Sequence, residues 1–269
     1  MNCGINIQFF SRIIGMKKAA ELVSKAGFQY LDYTPPVNDD NWECVMREDL
    51  KIFEEEGLKV HQTHAPFNRY GTYGERFNLC MERAMEATAA MGAKYIAVHG
   101  DEFDFNSYEF TSERAFLNNY ELFRPYVEQA EKIGYKLGFE TVFDDCGKRR
   151  YTSLSDELKK LILSFESKNA VCCWDFGHAN VSFGKKQAEI IRDFGSLIEC
   201  THLHDNVGND SHQMPMTGDI NWTEIIPALK GTGFNGVMSV EYAHGESPLY
   251  MAEDFLKLTK KSVDYIMSL

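Results

Sequence analysis

The sequence predicts an α/β chain folded as a (β/α)8 TIM barrel, a single domain over residues 1–269, and three observations lead there. Short apolar runs rich in β-formers alternate with amphipathic helical patterns from one end of the chain to the other. No Gly-rich phosphate loop follows any of these runs, which weakens the rival reading as a doubly wound nucleotide-binding sheet. Histidines and acids recur at the C-terminal ends of the runs, where such a barrel collects its chemistry. No composition break marks a linker.

The elements follow in order. "GINIQFF" (4–10) is the first strand, and "MKKAAELVSKAG" (16–27) is a helix ended by Gly27. "FQYLDY" (28–33) is the second strand, followed by a polar loop and a helix near 43–56. "LKVHQTHAP" (58–66) is the third, stopped by Pro66. The helix over 75–92 has apolar residues at three- and four-residue spacing, and "AKYIAVHG" (93–100) is the fourth strand. A long helix over 112–134 precedes the fifth strand, "YKLGFET" (135–141). The helix over 153–165 opens with Ser and Asp at capping positions, and "NAVCCWDFG" (169–177) is the sixth strand. A helix near 184–194 leads to the seventh, "LIECTHLHD" (197–205). A helix over 222–233 containing Pro227, the eighth strand "GVMSVEY" (236–242) and a closing helix over 248–267 complete the pattern.

The chain carries 28 basic and 40 acidic residues, a net charge of −12, which disfavours phosphate backbones and anionic membranes as partners. No apolar run reaches membrane-spanning length. The seven cysteines are odd in number and form no C-x-x-C pair, and several sit in apolar runs. They are expected as reduced thiols, and with no signal peptide in "MNCGINIQFF" a cytoplasmic location is expected.

Residues at the strand ends suggest a metal. His64 ends the third strand, His99 the fourth, Glu140 the fifth and Asp175 the sixth, with His178 just beyond. His202 and Asp205 come with the seventh strand, Asp210 and His212 with its loop, and Glu241 with the eighth. Any one of them alone reads equally well as a packing histidine or a capping aspartate. Together, at one rim, so many ionisable groups need a partner, and a divalent cation supplies it.

At these positions the sequence resembles the xylose isomerase-like TIM barrels, which include endonuclease IV. The likeness runs through "THAPF" (63–67), "YIAVHG" (95–100), "LGFET" (137–141), "CCWDFGHA" (172–179), "HLHDN" (202–206), "DSH" (210–212) and "SVEY" (239–242). It implies four core metal ligands, Glu140, Asp175, His202 and Glu241. It implies further metal or substrate positions at His64, His99, Asp210 and His212. In the nuclease branch a trinuclear zinc site would use these together with His178.

The resemblance thus implies one of two enzymes. One is an isomerase or epimerase of a sugar or sugar phosphate, using Mn, Zn, Mg or Co to stabilise an enediolate. In it Glu140 and Glu241 move the proton and His178 orients the substrate. The other is an abasic-site DNA endonuclease with a multinuclear zinc site. The loop "GDEFDFNSYEF" (100–110) has four acids and no base, and only "CGKRRY" (146–151) is basic. With the net charge, this favours a small-molecule sugar substrate and makes nucleic acid an unlikely partner. A homo-oligomer is left open. Trp174, Phe67 and Phe139 are candidate apolar walls, although strand alternation equally points them into the core. His61 is read as core or as support for the site; His204 and His244 have no matched role. Two positions depart from the epimerase branch: Gly208 stands where an Arg is common, and Met216 replaces the first glycine of a G-x-G.

Overall fold

The computed structural model describes residues 1–100, 102–104, 109–145, 147–242 and 249–269. Eight parallel strands close into a barrel in sequence order, and β1 (Asn2–Asn6) pairs with β8 (Val237–Val240) to seal it. Between them run β2 (Tyr30–Tyr33), β3 (Lys59–His64), β4 (Tyr95–His99), β5 (Lys136–Glu140), β6 (Ala170–Asp175) and β7 (Ile198–Leu203).

The helices cover the outside. They are α1 (Gln8–Ile14), α2 (Met16–Lys25), α3 (Trp42–Glu55), α4 (Phe77–Ala90), α5 (Ser112–Ile133), α6 (Ser155–Ser164), α7 (Phe176–Phe183), α8 (Gln187–Phe194), α9 (Trp222–Gly231) and α10 (Ala252–Ser268). The core lies between this ring and the strands, and the inner space is filled by small side chains such as Ala97, Cys173 and Cys200. The six described cysteines are free, and all but Cys44 are buried. Among the described residues no helix is long and apolar enough to cross a membrane.

Most strands are shorter by one or two residues at an end than the sequence expectation, and two differences are larger. The first strand ends at Asn6, and residues 8–10 belong to α1 instead. "INIQFF" is apolar enough for either state, and periodicity cannot separate a short buried strand from a short helix. The second difference is α7, which begins directly after Asp175. The Asp175 Oδ1 accepts a hydrogen bond from the His178 backbone N–H at 2.7 Å, so this aspartate caps the helix that carries the next histidine.

Candidate metal centre

Strand register brings the predicted residues together at the C-terminal mouth. His99 lies opposite Glu140 across β4 and β5, and Asp175 opposite His202 across β6 and β7. His64 ends β3, Glu241 follows β8, His178 projects from the first turn of α7, and Asp210 and His212 sit in the β7–α9 loop. All nine residues fall into groups whose potential ligand atoms lie within 4.8 Å of one another. His64, His99 and Glu140 form one group; Glu140, Asp175, His202 and Glu241 a second, sharing Glu140. A third is His178, Asp210 and His212, joined by His204, and Glu140, Cys173 and His202 make a fourth.

Hydrogen bonds set which imidazole nitrogen is available. His64 and His178 direct Nδ1 at the carbonyls of Ala65 (2.8 Å) and Thr141 (2.9 Å), and His212 directs Nδ1 at the Glu241 carbonyl (2.7 Å). A carbonyl only accepts, so each ring donates through Nδ1 and leaves the Nε2 lone pair free. His202 is reversed. Its Nε2 lies 2.9 Å from Asp32 Oδ2, which frees Nδ1 to face Glu140, Glu241 and Asp175. Holding the far nitrogen of an imidazole in this way is how proteins orient metal-ligating histidines.

The carboxylate and imidazole atoms facing the mouth approach one another closely. Glu140 Oε2 lies 3.4 Å from both His64 Nε2 and His99 Nε2 and 3.2 Å from His202 Nδ1, yet it and Asp175 Oδ2 make no hydrogen bond. His202 Nδ1 is 3.3 Å from Glu241 Oε2. A four-coordinate ion about 2.0–2.1 Å from each ligand sets the ligands roughly 3.3–3.4 Å apart. The spacing matches the edges of a coordination shell, and buried polar atoms left unpaired are costly unless a cation joins them. The donor set therefore fits a divalent metal.

Charge balance points the same way. Burial opposes ionisation of Glu140, but His202, His99 and His178 hold its carboxyl well below the usual range. Burial likewise opposes ionisation of Asp175, and His178 and His204 outweigh it. Burial pushes the imidazoles down, yet Asp175 and Glu140 lift His178 to about 10. Asp210 and Glu241 lift His212 to about 9. Glu140 and Glu241 carry His202 well above its ordinary value. Without a metal, imidazolium protons offset the carboxylates; a cation takes their place.

Several residues stand differently from expectation. Asp205 joins no ligand group. Its carboxylate accepts from Asn206 N, Met216 N, Ile220 N and Trp222 Nε1, tying the β7–α9 loop together. His61 is buried at the opposite end, between Tyr30 and Tyr95, the first residues of β2 and β4. Trp174 and Phe139 pack outward against the helix layer, Trp174 on Phe183 and Phe194, Phe139 on Phe123 and Phe165. Phe67 does reach the mouth, stacking on His99 at 4.7 Å, and Phe143 lies 5.1 Å from His178. His244 lies outside the described residues.

Asp32 and His204 escaped the sequence reading. Asp32 lies in "YLDY", an aspartate in an otherwise apolar strand, which is itself a signal for a buried role. The Cys173 thiol, 3.9 Å from His202 Nδ1, is kept protonated by burial. Of the basic loop residues, Arg149 is engaged by Asp144 (3.1 Å) and Glu157 (2.6 Å), and Arg150 covers the Phe143 ring.

Comparison with known proteins adds a family. A model described as the xylose isomerase-like TIM barrel matches residues 20–266. An uncharacterised protein of Methanocaldococcus jannaschii is 29% identical over 186 residues, which are 66% of this chain and 62% of that protein. The matched region thus spans less than two thirds of that relative. Among solved structures, a D-tagatose 3-epimerase-like protein superposes with a TM-score of 0.78 at 21% identity, covering 100% of this chain and 99% of the other. A D-psicose 3-epimerase solved in the presence of D-fructose gives 0.79 at 14% identity, with 100% of both chains covered. The IolI protein with a bound zinc atom gives 0.79 at 18%, covering 100% and 98%. At these identities the likeness establishes the fold.

Proposed function

This chain belongs to the xylose isomerase-like TIM-barrel family, and from that premise we propose that it is a divalent-metal-dependent isomerase or epimerase of a sugar or sugar phosphate. The carrying observation is the convergence of Glu140 and Glu241. They come from β5 and from just beyond β8, three strands apart in the barrel, yet their carboxylates lie within 4.8 Å of each other in one ligand group. Two carboxylates so placed can remove a proton from carbon and return one.

Glu140, Asp175, His202 and Glu241 would hold the ion. A bound Mn, Zn, Mg or Co ion would supply Lewis acidity to the carbonyl and hydroxyl oxygens of an open-chain sugar. Glu140, kept ionised by the surrounding histidines, is suited to accept the proton, and Glu241, partly exposed at the mouth, to return it. His178 would orient substrate oxygens. Phe67 and Phe143 offer apolar faces to the carbon skeleton. The barrel is sealed by strands from both ends of the chain, which supports reading it as one domain. The free, buried thiols suit a reducing, cytoplasmic setting. The named epimerases among the structural neighbours support a sugar substrate.

One observation favours a second reading. Histidines and carboxylates of the kind a multinuclear centre uses lie together, with Glu140 shared among three groups, an arrangement suited to hydrolysing a phosphodiester such as abasic DNA. The net charge of −12 and the engagement of Arg149 weigh against a nucleic-acid surface. A paired assay decides. Metal-loaded protein is incubated in deuterated water with a panel of ketoses and ketose phosphates, and separately with an abasic duplex. Deuterium uptake at carbon supports the isomerase; strand cleavage without uptake overturns it.

A further inference from the structure

We propose that the N-terminal mouth of the barrel, opposite the metal centre, is a second small-molecule site. It takes a ring-bearing anion, a phosphate or carboxylate joined to a flat apolar body. Its residues are remote from Glu140 and Glu241, so the site is independent of the isomerase reading.

A cavity of about 730 Å³ opens at this end, within the roughly 300–1,000 Å³ of small-molecule pockets. Tyr30, His61 and Tyr95 line it. The His61 ring centroid lies 5.8 Å from that of Tyr30 and 5.2 Å from that of Tyr95, so the three rings form one aromatic floor. His61 is only 7% exposed, and its Nε2 makes no hydrogen bond. A buried nitrogen without a partner is destabilising unless a ligand supplies one.

The backbone sets this nitrogen in place. β2 and β3 pair Leu31 with Val60 but Asp32 with Gln62, so β3 holds one extra residue, and that residue is His61. A bulge of this kind re-aims a side chain. Gln62, the next residue, donates to Asp32 at 2.9 Å on the side of His202, whereas His61 turns between the two tyrosines.

Charge selects the ligand. Burial, and then the nearby Lys94, push the His61 imidazole down to about 4, so at pH 7 it is neutral and offers an N–H to an acceptor. Lys59 and Lys94 line the cavity, and among the described residues neither forms an ion pair. The acids that line it are Glu54 and Glu199. Glu199 is matched by Lys136 at 2.7 Å and accepts from the Tyr95 hydroxyl at 3.2 Å, while Glu54 stands exposed. Two unmatched lysines beside a buried N–H favour an anion, in a chain whose net charge is −12. The aromatic floor suits a flat ring attached to it.

The test is equilibrium dialysis of the metal-loaded full chain against adenosine monophosphate, naphthoate and neutral adenosine. One equivalent of adenosine monophosphate or of naphthoate should bind per chain, and adenosine roughly 10–100-fold more weakly than its phosphate. Binding of the first alone identifies the anion as a phosphate, and of the second alone as a carboxylate. Lys59→Gln combined with Lys94→Gln should weaken the responsive probe by a similar factor, while Glu241→Gln, at the other mouth, binds it as wild type does. His61→Phe keeps a ring between the tyrosines and removes the nitrogens. Free of probe it should melt higher than wild type, and it should lose most of the rise in melting temperature that the probe gives wild type. Circular dichroism reports whether each variant is folded. Failure of both anions to bind, wild-type affinity in the folded double-lysine variant, or an unaltered melting shift in His61→Phe overturns the proposal. Loss of probe binding in Glu241→Gln places the probe at the metal centre and overturns it too. None of these results bears on deuterium uptake by the sugar, which tests the isomerase reading separately.

Discussion

Removing the charge of Asp32 should weaken metal binding without disturbing the fold. Asp32 is fully buried, and its Oδ2 receives both His202 Nε2 and Gln62 Nε2 at 2.9 Å, while Oδ1 has no hydrogen-bond partner. In Asp32→Asn the amide oxygen can take the place of Oδ2 and keep both hydrogen bonds, with the NH₂ at the unpartnered position. What is lost is the charge that favours donation from Nε2 and raises the basicity of Nδ1. Supporting groups of this kind are worth about 10–100-fold in metal affinity, or about 1.4–2.7 kcal/mol. Asp32→Asn should fall near the lower end. Asp32→Ala also leaves His202 Nε2 buried without an acceptor and Gln62 Nε2 with only the Thr201 carbonyl at 3.3 Å, which adds about 1–3 kcal/mol of destabilisation. Competition against a metal-sensitive dye gives the affinities, and urea unfolding in chelator gives the stabilities. Wild-type affinity in both variants would refute the role of Asp32.

Glu241→Gln should leave the circular dichroism spectrum intact and cut solvent proton exchange on the responsive sugar by roughly 10²–10⁴-fold; unaltered exchange removes Glu241 from the proton path. Metal uptake at pH 7 should acidify a weakly buffered solution, because His178 at about 10 and His212 at about 9 carry protons in the metal-free protein. An unchanged pH contradicts this. The same raised values mean that these histidines stabilise the metal-free fold fully below pH 6.5, a contribution lost as pH rises through about 9–10. Chelated wild type should therefore lose more stability between pH 7 and 10 than His178→Gln does. Gly218→Ala should cost about 1–3 kcal/mol in urea unfolding, since its Cβ would fall 2.2 Å from the Asn206 carbonyl and from Asp205 Oδ1. A neutral result would mean that the β7–α9 loop is not packed as described.

The same loop shows how far a local pattern can be read. Met216 stands where the resembling families have glycine, and it adopts a φ of 76°, a conformation that glycine accepts at lower cost. A departure noticed in the sequence is thus a strained backbone position in the structure. Asp205 shows the opposite case. Among the strand-end acids it looked like a ligand, but four backbone and side-chain donors take up its carboxylate. Nothing in the order of residues distinguishes an aspartate that holds a loop from one that faces a metal.

The chain by itself determined the barrel, because alternating β-forming and amphipathic stretches admit few closed arrangements at this length. It also determined the rim positions His64, His99, Glu140, Asp175, His178, His202, Asp210, His212 and Glu241, because strand ends are local features. Tertiary structure decided how those residues group, with Glu140 shared among three sets, and which nitrogen each imidazole presents. It also decided that Asp32 supports His202 from 170 positions away and that His204 rests on Gly177. Tautomer and ligand grouping depend on through-space contacts of about 3 Å between distant strands, and those exist only once the barrel closes.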